Sequence, residues 1–161
     1  MTAGRGRTAT IPPRLFVRTA WVLHRAYYRL TGGRRGLWRP KAGAKFGTMR
    51  LTTTGRRSGQ PRVAIVGYYE DGPNLVTLAM NGWAEAEPAW WLNLQAQPET
   101  IVELKDGLRA VRGRAAEGEE RDRLWARWGE FSEDYDAWAA MRSGQTAVVV
   151  LEPRAAAAVT A

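Results

Sequence analysis

One stretch of this sequence gathers the residue types that bind anions, namely arginines, a serine and loop glycines. Residues 51–62 read LTTTGRRSGQPR, which places Arg56, Arg57 and Arg62 close to Ser58. Glycines let neighbouring backbone N–H groups turn towards one point, and guanidinium groups add charge-assisted hydrogen bonds to phosphate or carboxylate. The stretch matches neither the phosphate loop that ends in GKS or GKT nor the GxGxxG fingerprint. On its residues alone it predicts either an anion site or an exposed basic hairpin turn.

A second candidate is the aromatic stretch AMNGWAEAEPAWW over residues 79–91. Residues 80–82 follow a predicted strand, where backbone groups are free to face a flat ligand. Trp90 and Trp91 open a predicted helix on adjacent faces, so one can line a cleft while the other fills the core. Aromatic walls suit a planar heterocycle, although two tryptophans in a hydrophobic core explain the same residues.

The composition removes most chemistries that depend on metal ligands or strong nucleophiles. The 161 residues include no cysteine and one histidine, His24. A disulfide framework, a thiol nucleophile, an iron–sulfur cluster and a multi-histidine metal centre therefore cannot form from this chain alone. His24 falls in the middle of a predicted helix among bulky apolar residues, so we interpret it as structural. No metal site is expected, and a bound cofactor or simple ligand binding must supply the function.

The net charge of +8 hides two halves of opposite sign. Residues 1–69 contain thirteen arginines, two lysines and no acid, whereas residues 70–161 contain nine basic residues and sixteen acids. Because residues 1–69 carry only positive charge, they favour an anionic partner, and nucleic acid, anionic lipid and a polyanionic cofactor all qualify. No nucleic-acid recognition module accompanies the basic residues, so nucleic acid is not an expected partner. No apolar run reaches the roughly 20 residues of a membrane span, which favours a cytoplasmic protein.

The N-terminal part is predicted to form one amphipathic helix over residues 12–33, after a flexible start at 1–11. At 100° per residue, four arginines fall on one stripe of this helix, namely Arg14, Arg18, Arg25 and Arg29. A basic stripe over an apolar body is typical of a helix that lies on an anionic membrane surface. The alternative is a helix that packs on the domain with its arginines in water.

From residue 46 onwards the hydrophobic pattern changes to strands joined by short turns. Because a parallel crossover needs about a dozen residues, the short loops between successive strands favour antiparallel pairing. We therefore predict an α+β fold, a small split antiparallel β-barrel with helices packed around it, over residues 44–153, and a flexible tail at 154–161. The predicted strands are 49–54, 62–70, 75–79, 100–105, 108–115 and 146–151, and the predicted helices start at Pro88 and cover 117–131 and 135–141.

These segments, in this order, resemble the deazaflavin-dependent nitroreductase and quinone reductase family. The resemblance rests on LTTTGRRSGQPR, then Y-x-D-G, A-x-N-G and P-x-WWLNLQAQP, and finally DYDAW and VVVLEP. It runs from about residue 15 to residue 153. The family consists of small split-barrel reductases related to the flavin-binding pyridoxine oxidase-like fold.

The resemblance implies coenzyme F-420 as cofactor, a flat 8-hydroxy-5-deazaflavin with an anionic tail of phosphate and glutamates. FMN is the alternative cofactor for the same barrel. By the family pattern, the tail would be held by Thr54, Arg56, Arg57, Ser58, Gln60 and Arg62. The ring would face the backbone of Ala64, Ile65, Met80, Asn81 and Gly82, with Trp90 beside it. Lysine or arginine often stands in the family where this chain has Asn81.

The resemblance further implies hydride transfer from C5 of the reduced deazaflavin to a small hydrophobic acceptor, such as a quinone, an enone or a nitro compound. Tyrosines near the late helix line the pocket in some members, which here leaves Tyr135 as the candidate catalytic proton donor. Tyr68 and Tyr69 alternate along one strand, so at most one can face the cleft. The alternative is a non-catalytic protein of the same fold that binds a lipid, a fatty acid or the cofactor. A monomer is expected, with the N-terminal helix covering a barrel edge.

Overall fold

The computed structural model describes residues 19, 22–23, 36–41 and 46–155. Thr19, Val22 and Leu23 are helical. The remainder of the predicted N-terminal helix, including its arginine stripe and His24, lies outside the described residues. The same is true of the predicted flexible start and of residues 156–161.

Within residues 46–155 the chain forms a closed antiparallel β-barrel of six strands. These strands are β1 Gly47–Thr54, β2 Pro61–Asp71, β3 Asn74–Leu78, β4 Glu99–Leu104, β5 Gly107–Ala115 and β6 Val148–Pro153. Their order around the barrel is β1-β2-β3-β6-β5-β4, and β1 pairs with β4 to close it. The predicted α+β class and small antiparallel barrel are therefore confirmed.

Three α-helices lie in two of the connections between strands in residues 46–155, one between β3 and β4 and two between β5 and β6. They are α1 Ala89–Ala96, α2 Gly118–Gly129 and α3 Tyr135–Ala139, and a single turn of 3-10 helix covers Asn81–Trp83. Both α2 and α3 are shorter than predicted, and α2 starts at Gly118, whose φ of 54° favours glycine. The last strand begins at Val148 rather than at residue 146. The Thr146 hydroxyl accepts a hydrogen bond of 2.7 Å from Arg142, which holds that residue outside the strand.

Two hydrophobic clusters lie on the two faces of the sheet. The inner cluster fills the barrel and includes Leu75 and Leu151, whereas the outer cluster lies beneath α2 and α3 and includes Val76 and Val150. Neighbouring residues of β3 and β6 enter opposite clusters because side chains alternate along a strand. These two strands are thus buried on both faces, which explains their continuous apolar sequences.

Helix α1 is fixed across the barrel by side chains that enter its interior. Trp91 and Leu94 belong to the inner cluster, with exposed fractions of 5% and 0%. Gly113 makes room for this helix, because a Cβ there would lie 3.0 Å from a methyl carbon of Leu94. The packing places the remaining faces of α1 next to the β1–β2 hairpin, where the candidate site lies.

Candidate functional site

A solvent-open cleft of about 1120 Å³ lies between the β1–β2 hairpin, β2 and the start of α1. It brings together two regions that are distant in the sequence, the basic loop and the aromatic stretch. Most of the predicted cofactor-binding residues line it, namely Arg56, Arg57, Ser58, Arg62, Ala64, Ile65, Met80, Asn81, Gly82 and Trp90. Thr54 and Gln60 lie in the same hairpin but are not among its lining residues.

The hairpin loop at one end of the cleft is held in shape by its own backbone. The N–H of Gly55 donates to the carbonyl of Gln60 at 2.8 Å, and the N–H of Gly59 donates back to the carbonyl of Gly55 at 2.7 Å. A Cβ at residue 55 would lie 2.7 Å from the Ser58 hydroxyl oxygen and 3.1 Å from the Gln60 carbonyl, so a side chain there would displace that hydroxyl. That hydroxyl in turn accepts hydrogen bonds from the Gln60 N–H and the Arg62 guanidinium. The loop is therefore compact and presents its arginine side chains outward.

Salt bridges distinguish the arginines of this loop from the other described arginines. Every described arginine outside residues 55–62 lies within 4.0 Å of an aspartate or glutamate oxygen. Arg56, Arg57 and Arg62 form no such pair with any acid in the described part of the chain. Residues 1–69 contain no acid at all, so that half of the sequence supplies no carboxylate to neutralise them. One end of the cleft thus carries three uncompensated positive charges.

A buried asparagine that the sequence did not single out fastens the loop to α1. The Asn93 side-chain oxygen accepts a hydrogen bond of 3.1 Å from the Arg56 N–H, and its nitrogen donates to the Thr53 hydroxyl at 3.0 Å. That hydroxyl donates onward to the carbonyl of Arg62 at 3.4 Å. Asn93 is 3% exposed and Thr53 is 2% exposed, so water cannot easily replace these contacts. The signal in the sequence was one amide side chain within the otherwise apolar run WWLNL.

The two neighbouring tryptophans at the start of α1, on the opposite wall of the cleft, have different surroundings. Trp90 is half-buried and lines the cleft, whereas Trp91 fills the core, and their rings meet edge to face with centroids 6.3 Å apart. Asn81 has a φ of 46°, and its side-chain nitrogen donates to the carbonyl of Ala86 at 2.8 Å. The Asn81 amide therefore closes its own turn.

The candidate tyrosines lie away from the cleft. Tyr135 is 6% exposed in the outer cluster, with ring centroids 5.5 Å from Trp83 and 5.9 Å from Trp128, and burial raises the pKa of its phenol. Tyr68 and Tyr69 alternate as expected, but they enter the inner and outer clusters, so neither faces the cleft. Burial raises the pKa of Tyr68 to about 12. The described cleft lining consequently contains no carboxylate, imidazole or phenol.

The described ranges, residues 19, 22–23, 36–41 and 46–155, lack two further features. No group of three or more histidine, cysteine, aspartate or glutamate side chains in these ranges is arranged to hold a metal ion. No helix within them is long and apolar enough to span a membrane.

Comparisons with known proteins agree with this architecture. A model of the F420H(2)-dependent quinone reductase family matches residues 21–153. A putative F420H(2)-dependent quinone reductase of Mycobacterium tuberculosis (strain ATCC 25618 / H37Rv) is 31% identical over 107 residues, which cover 66% of this chain and 90% of that protein. An F420H(2)-dependent quinone reductase of the same strain is 32% identical over 105 residues, or 64% of this chain and 68% of the relative.

Solved structures show the same relationship. A structure described as an F420-H2 dependent reductase has a TM-score of 0.59 and 26% identity, and the match covers 65% of this chain and 93% of that one. A second, described as a domain-swapped dimer, has a TM-score of 0.63 and 26% identity over 84% of this chain and 99% of its own.

The fold defines a class, the small antiparallel-barrel reductases. Within that class the chain belongs to the F420H(2)-dependent quinone reductase family. It is an oxidoreductase, and its cofactor is coenzyme F-420. The family, the enzyme class and the cofactor suggested by the sequence motifs are thereby confirmed.

Proposed function

We propose that the described cleft is the site at which this protein uses reduced coenzyme F-420 to reduce a quinone-like acceptor. The observation that carries the proposal is the set of three arginines without an acidic partner at one end of the cleft. Such charges are stabilised when an anion binds between them, and phosphate and glutamate carboxylates both suit the guanidinium fork. The opposite end offers an indole face and backbone groups, which suit a flat ring system.

The residues of the cleft fit the two ends of the coenzyme. The phosphate and glutamate tail would be bound by the side chains of Arg56, Arg57 and Arg62, together with the Ser58 hydroxyl and the Arg57 N–H. The backbone around residues 64–65 and 80–82 would face the ring, and Trp90 would cover one edge. When bound, the coenzyme supplies a hydride at C5. The protein's own contribution is then orientation and exclusion of water, which account for much of the rate enhancement in enzymes that use such cofactors.

Part of the cleft lining is apolar, and we place the acceptor there. This part includes Val63, Ile65 and Leu78, which carry no polar side-chain atom. A quinone-like ring therefore gains from burial there, whereas a charged acceptor does not. Because the described lining has no group that titrates near neutral pH, water is the proton donor we expect for the reduced acceptor.

A fluorescence titration with oxidised coenzyme tests the tail site. We expect replacement of Arg56, Arg57 and Arg62 together by alanine to raise the coenzyme Kd on the order of 100-fold, since each lost charge-assisted bond contributes about 1 kcal/mol or more. The matched control replaces Arg109, Arg112 and Arg154 by alanine, three arginines whose ion pairs join β5 or the chain after β6 to Asp106 or Glu99. It removes the same charge from surfaces outside the cleft and should leave the Kd near that of the wild type.

Two results would reject this site. Equal loss of affinity in both triple variants would show that only net charge matters, and tight binding by the first variant would place the tail elsewhere. Steady-state oxidation of the reduced coenzyme by menadione then separates a reductase from a protein that merely binds the cofactor, because a pure binder gives no turnover.

Oligomeric state and location are also proposals. We propose a monomer, although one solved relative is described as a domain-swapped dimer, and light scattering coupled to size exclusion measures the mass directly. We further propose a cytoplasmic protein whose residues 12–33 contact an anionic membrane surface. Co-sedimentation with anionic vesicles but not with neutral vesicles is the expected result for that contact.

A further inference from the structure

Residues 80–88 connect β3 to α1 and form one wall of the cleft. The first part of this segment, with Met80, Asn81 and Gly82, lines the cleft, and so do Pro88 and the first turn of α1. The intervening residues turn away from the cleft, towards α3 and the loop that follows it. The shape of this wall therefore depends on what holds the segment from behind.

Arg142 holds both ends of the segment at once. Its Nη1 donates to the carbonyl of Ala79 at 3.2 Å, and its Nη2 lies 3.2 Å from a carboxylate oxygen of Glu87. Nη1 also donates to the Thr146 hydroxyl at 2.7 Å, which fixes the guanidinium itself. The Arg142 side chain is only 1% exposed, so bulk water does not compete for the hydrogen bonds of its guanidinium.

Two further contacts hold the middle of the segment from the same side. The N–H of Ser143 donates to both carboxylate oxygens of Glu85, at 3.1 and 3.2 Å, and the Ser143 hydroxyl donates to one of them as well. Trp83 packs between Tyr135 and Trp138, with ring centroids at 5.5 and 5.8 Å. Alternate residues of the segment are thus fastened to α3 and the loop after it.

The backbone of this segment has a conformation that needs such support. Asn81 and Trp83 have φ angles of 46° and 63°, in the left-handed region that side chains other than glycine rarely adopt. Residues in such conformations persist only where their surroundings fix them, and they concentrate at functional sites.

The anchoring pair itself is poorly explained by stability. Arg142 Nε and Glu87 Oε2 are buried without a hydrogen-bond partner in the described part of the chain. A buried charge whose hydrogen bonds are only partly met contributes little net stability. The Arg142 guanidinium, whose side chain is 1% exposed beside a Glu87 side chain that is 33% exposed, is therefore better explained by what it positions.

We propose that Arg142 is a positioning residue for hydride transfer, which acts by fixing both ends of residues 80–88 and so the wall that faces the coenzyme ring. This inference rests on the proposed function, because residues 80–82 matter only if the ring lies against them. A shift of that backbone by even about 1 Å misplaces the ring relative to the acceptor, and such errors lower rates by up to about 100-fold. The tail site is separate from this wall and keeps most of the binding affinity.

The test replaces the whole pair by apolar residues of similar length, Arg142→Met together with Glu87→Met. We expect a melting temperature a few degrees below that of the wild type, because the Ala79 carbonyl and the Thr146 hydroxyl lose a hydrogen-bond donor. We also expect a coenzyme Kd changed only a few-fold and a single-turnover rate of hydride transfer to menadione, per folded molecule, lower by about tenfold or more. We also expect the absorption spectrum of the bound coenzyme to differ from that in the wild type. A purely structural role would change stability and leave both the rate per folded molecule and the spectrum unaltered.

Arg142→Lys is the second variant, chosen in case the double variant does not fold. It keeps a positive charge beside Glu87, but an ammonium group lacks the fork that reaches both ends of the segment, so we expect an intermediate rate. Arg114→Met is the control, since Arg114 pairs with Glu120 of α2 and Glu152 of β6 and forms no hydrogen bond or ion pair with a residue of 80–88 in the described part of the chain. It should affect stability alone.

Wild-type hydride-transfer rates in a folded Arg142 variant would overturn the proposal. The loop variant with Arg56, Arg57 and Arg62 replaced, measured in parallel, distinguishes this failure from failure of the proposed function. If that variant loses affinity while the Arg142 variants retain full rate, the site stands and the positioning role is wrong. If it binds normally, the proposed site is wrong.

Discussion

The roles of some single residues in this protein depend on contacts that the residue type alone does not predict. Asn93 links three parts of the site, because its amide lies on α1 and contacts both the backbone N–H of Arg56 in the loop and the Thr53 hydroxyl at the end of β1. Both contacts are buried, so removing the amide leaves polar groups that water cannot reach. Asn93 is therefore the residue through which α1 sets the position of the basic loop.

Replacing Asn93 by leucine should loosen the loop without leaving a cavity, because the two side chains are similar in size. We expect a loss of about 1–3 kcal/mol in the free energy of unfolding, since the Arg56 N–H and the Thr53 hydroxyl lose their partner. Urea denaturation measures this loss, and coenzyme titration should show weaker binding. Gln95→Leu, an exposed change on the same helix, should alter neither; equal effects of the two substitutions would contradict the role of Asn93.

Tyr135 is the catalytic candidate implied by the family resemblance, and its burial among indole rings favours packing. We expect Tyr135→Phe to retain reductase activity within about twofold and Tyr135→Ala to lose about 3–5 kcal/mol of stability through the cavity it leaves. Steady-state kinetics and thermal denaturation of the two variants distinguish these roles. A well-folded Tyr135→Phe protein with a much lower kcat would restore Tyr135 as a proton donor.

At the scale of elements, α2 is tied to the end of β2 by one carboxylate. The Arg123 guanidinium donates two hydrogen bonds of 2.9 Å to Asp71, and Arg127 lies 3.6 Å from the same carboxylate. These contacts hold the pKa of Asp71 below its ordinary range. The outer cluster, with Leu124 and Trp128 from α2, depends on this orientation of the helix.

The lowered pKa of Asp71 predicts how stability responds to acid. A carboxyl group whose pKa is lower in the folded state stabilises the fold above its unfolded pKa of about 3.9, and this contribution disappears as the pH falls through the folded value. Asp71→Asn should therefore lower the melting temperature at pH 7 and flatten its decline in acid. Asp122→Asn is the control, because that side chain is 79% exposed. An unchanged acid profile for Asp71→Asn would contradict the assignment.

For the whole molecule, the two halves of the sequence use their charges differently: residues 70–161 form ion pairs within the fold, and the basic loop of residues 1–69 keeps its charge for a ligand. The acids of residues 70–161 are used mainly to pair with arginines from the same half, across β2, β5, β6 and α2. Among the described residues, the basic half receives two of these acids, Asp106 at Arg39 and Glu103 at Arg50. The remaining described charge is concentrated at the mouth of the cleft, where it attracts an anionic ligand.

This arrangement predicts that coenzyme binding depends on salt. Raising NaCl from about 50 to 500 mM shortens the Debye length well below 10 Å, so the Kd should rise several-fold. The variant that lacks the three loop arginines should show a much shallower dependence. A Kd independent of salt in the wild type would mean that the ring, and not the tail, provides the affinity.

Local sequence determined much of this protein by itself. Alternation in β1 and β2, turn residues such as Gly72 and Gly107, and apolar runs in β3 and β6 specify antiparallel strands, because they depend only on neighbours in the chain. The glycine-arginine loop was likewise evident, since a tight hairpin and its charges come from consecutive residues. The motifs then indicated the family without any knowledge of contacts.

Only the tertiary structure decided which side chains meet. Closing the barrel brings α1 to the hairpin and α3 to residues 80–88, so Asn93 contacts Arg56 and Arg142 contacts Ala79, pairs separated by 37 and 63 residues. The same closure turns Tyr135 into the outer cluster and away from the cleft. No periodicity encodes such contacts, because the partners of a buried polar group are chosen by the packing of distant elements.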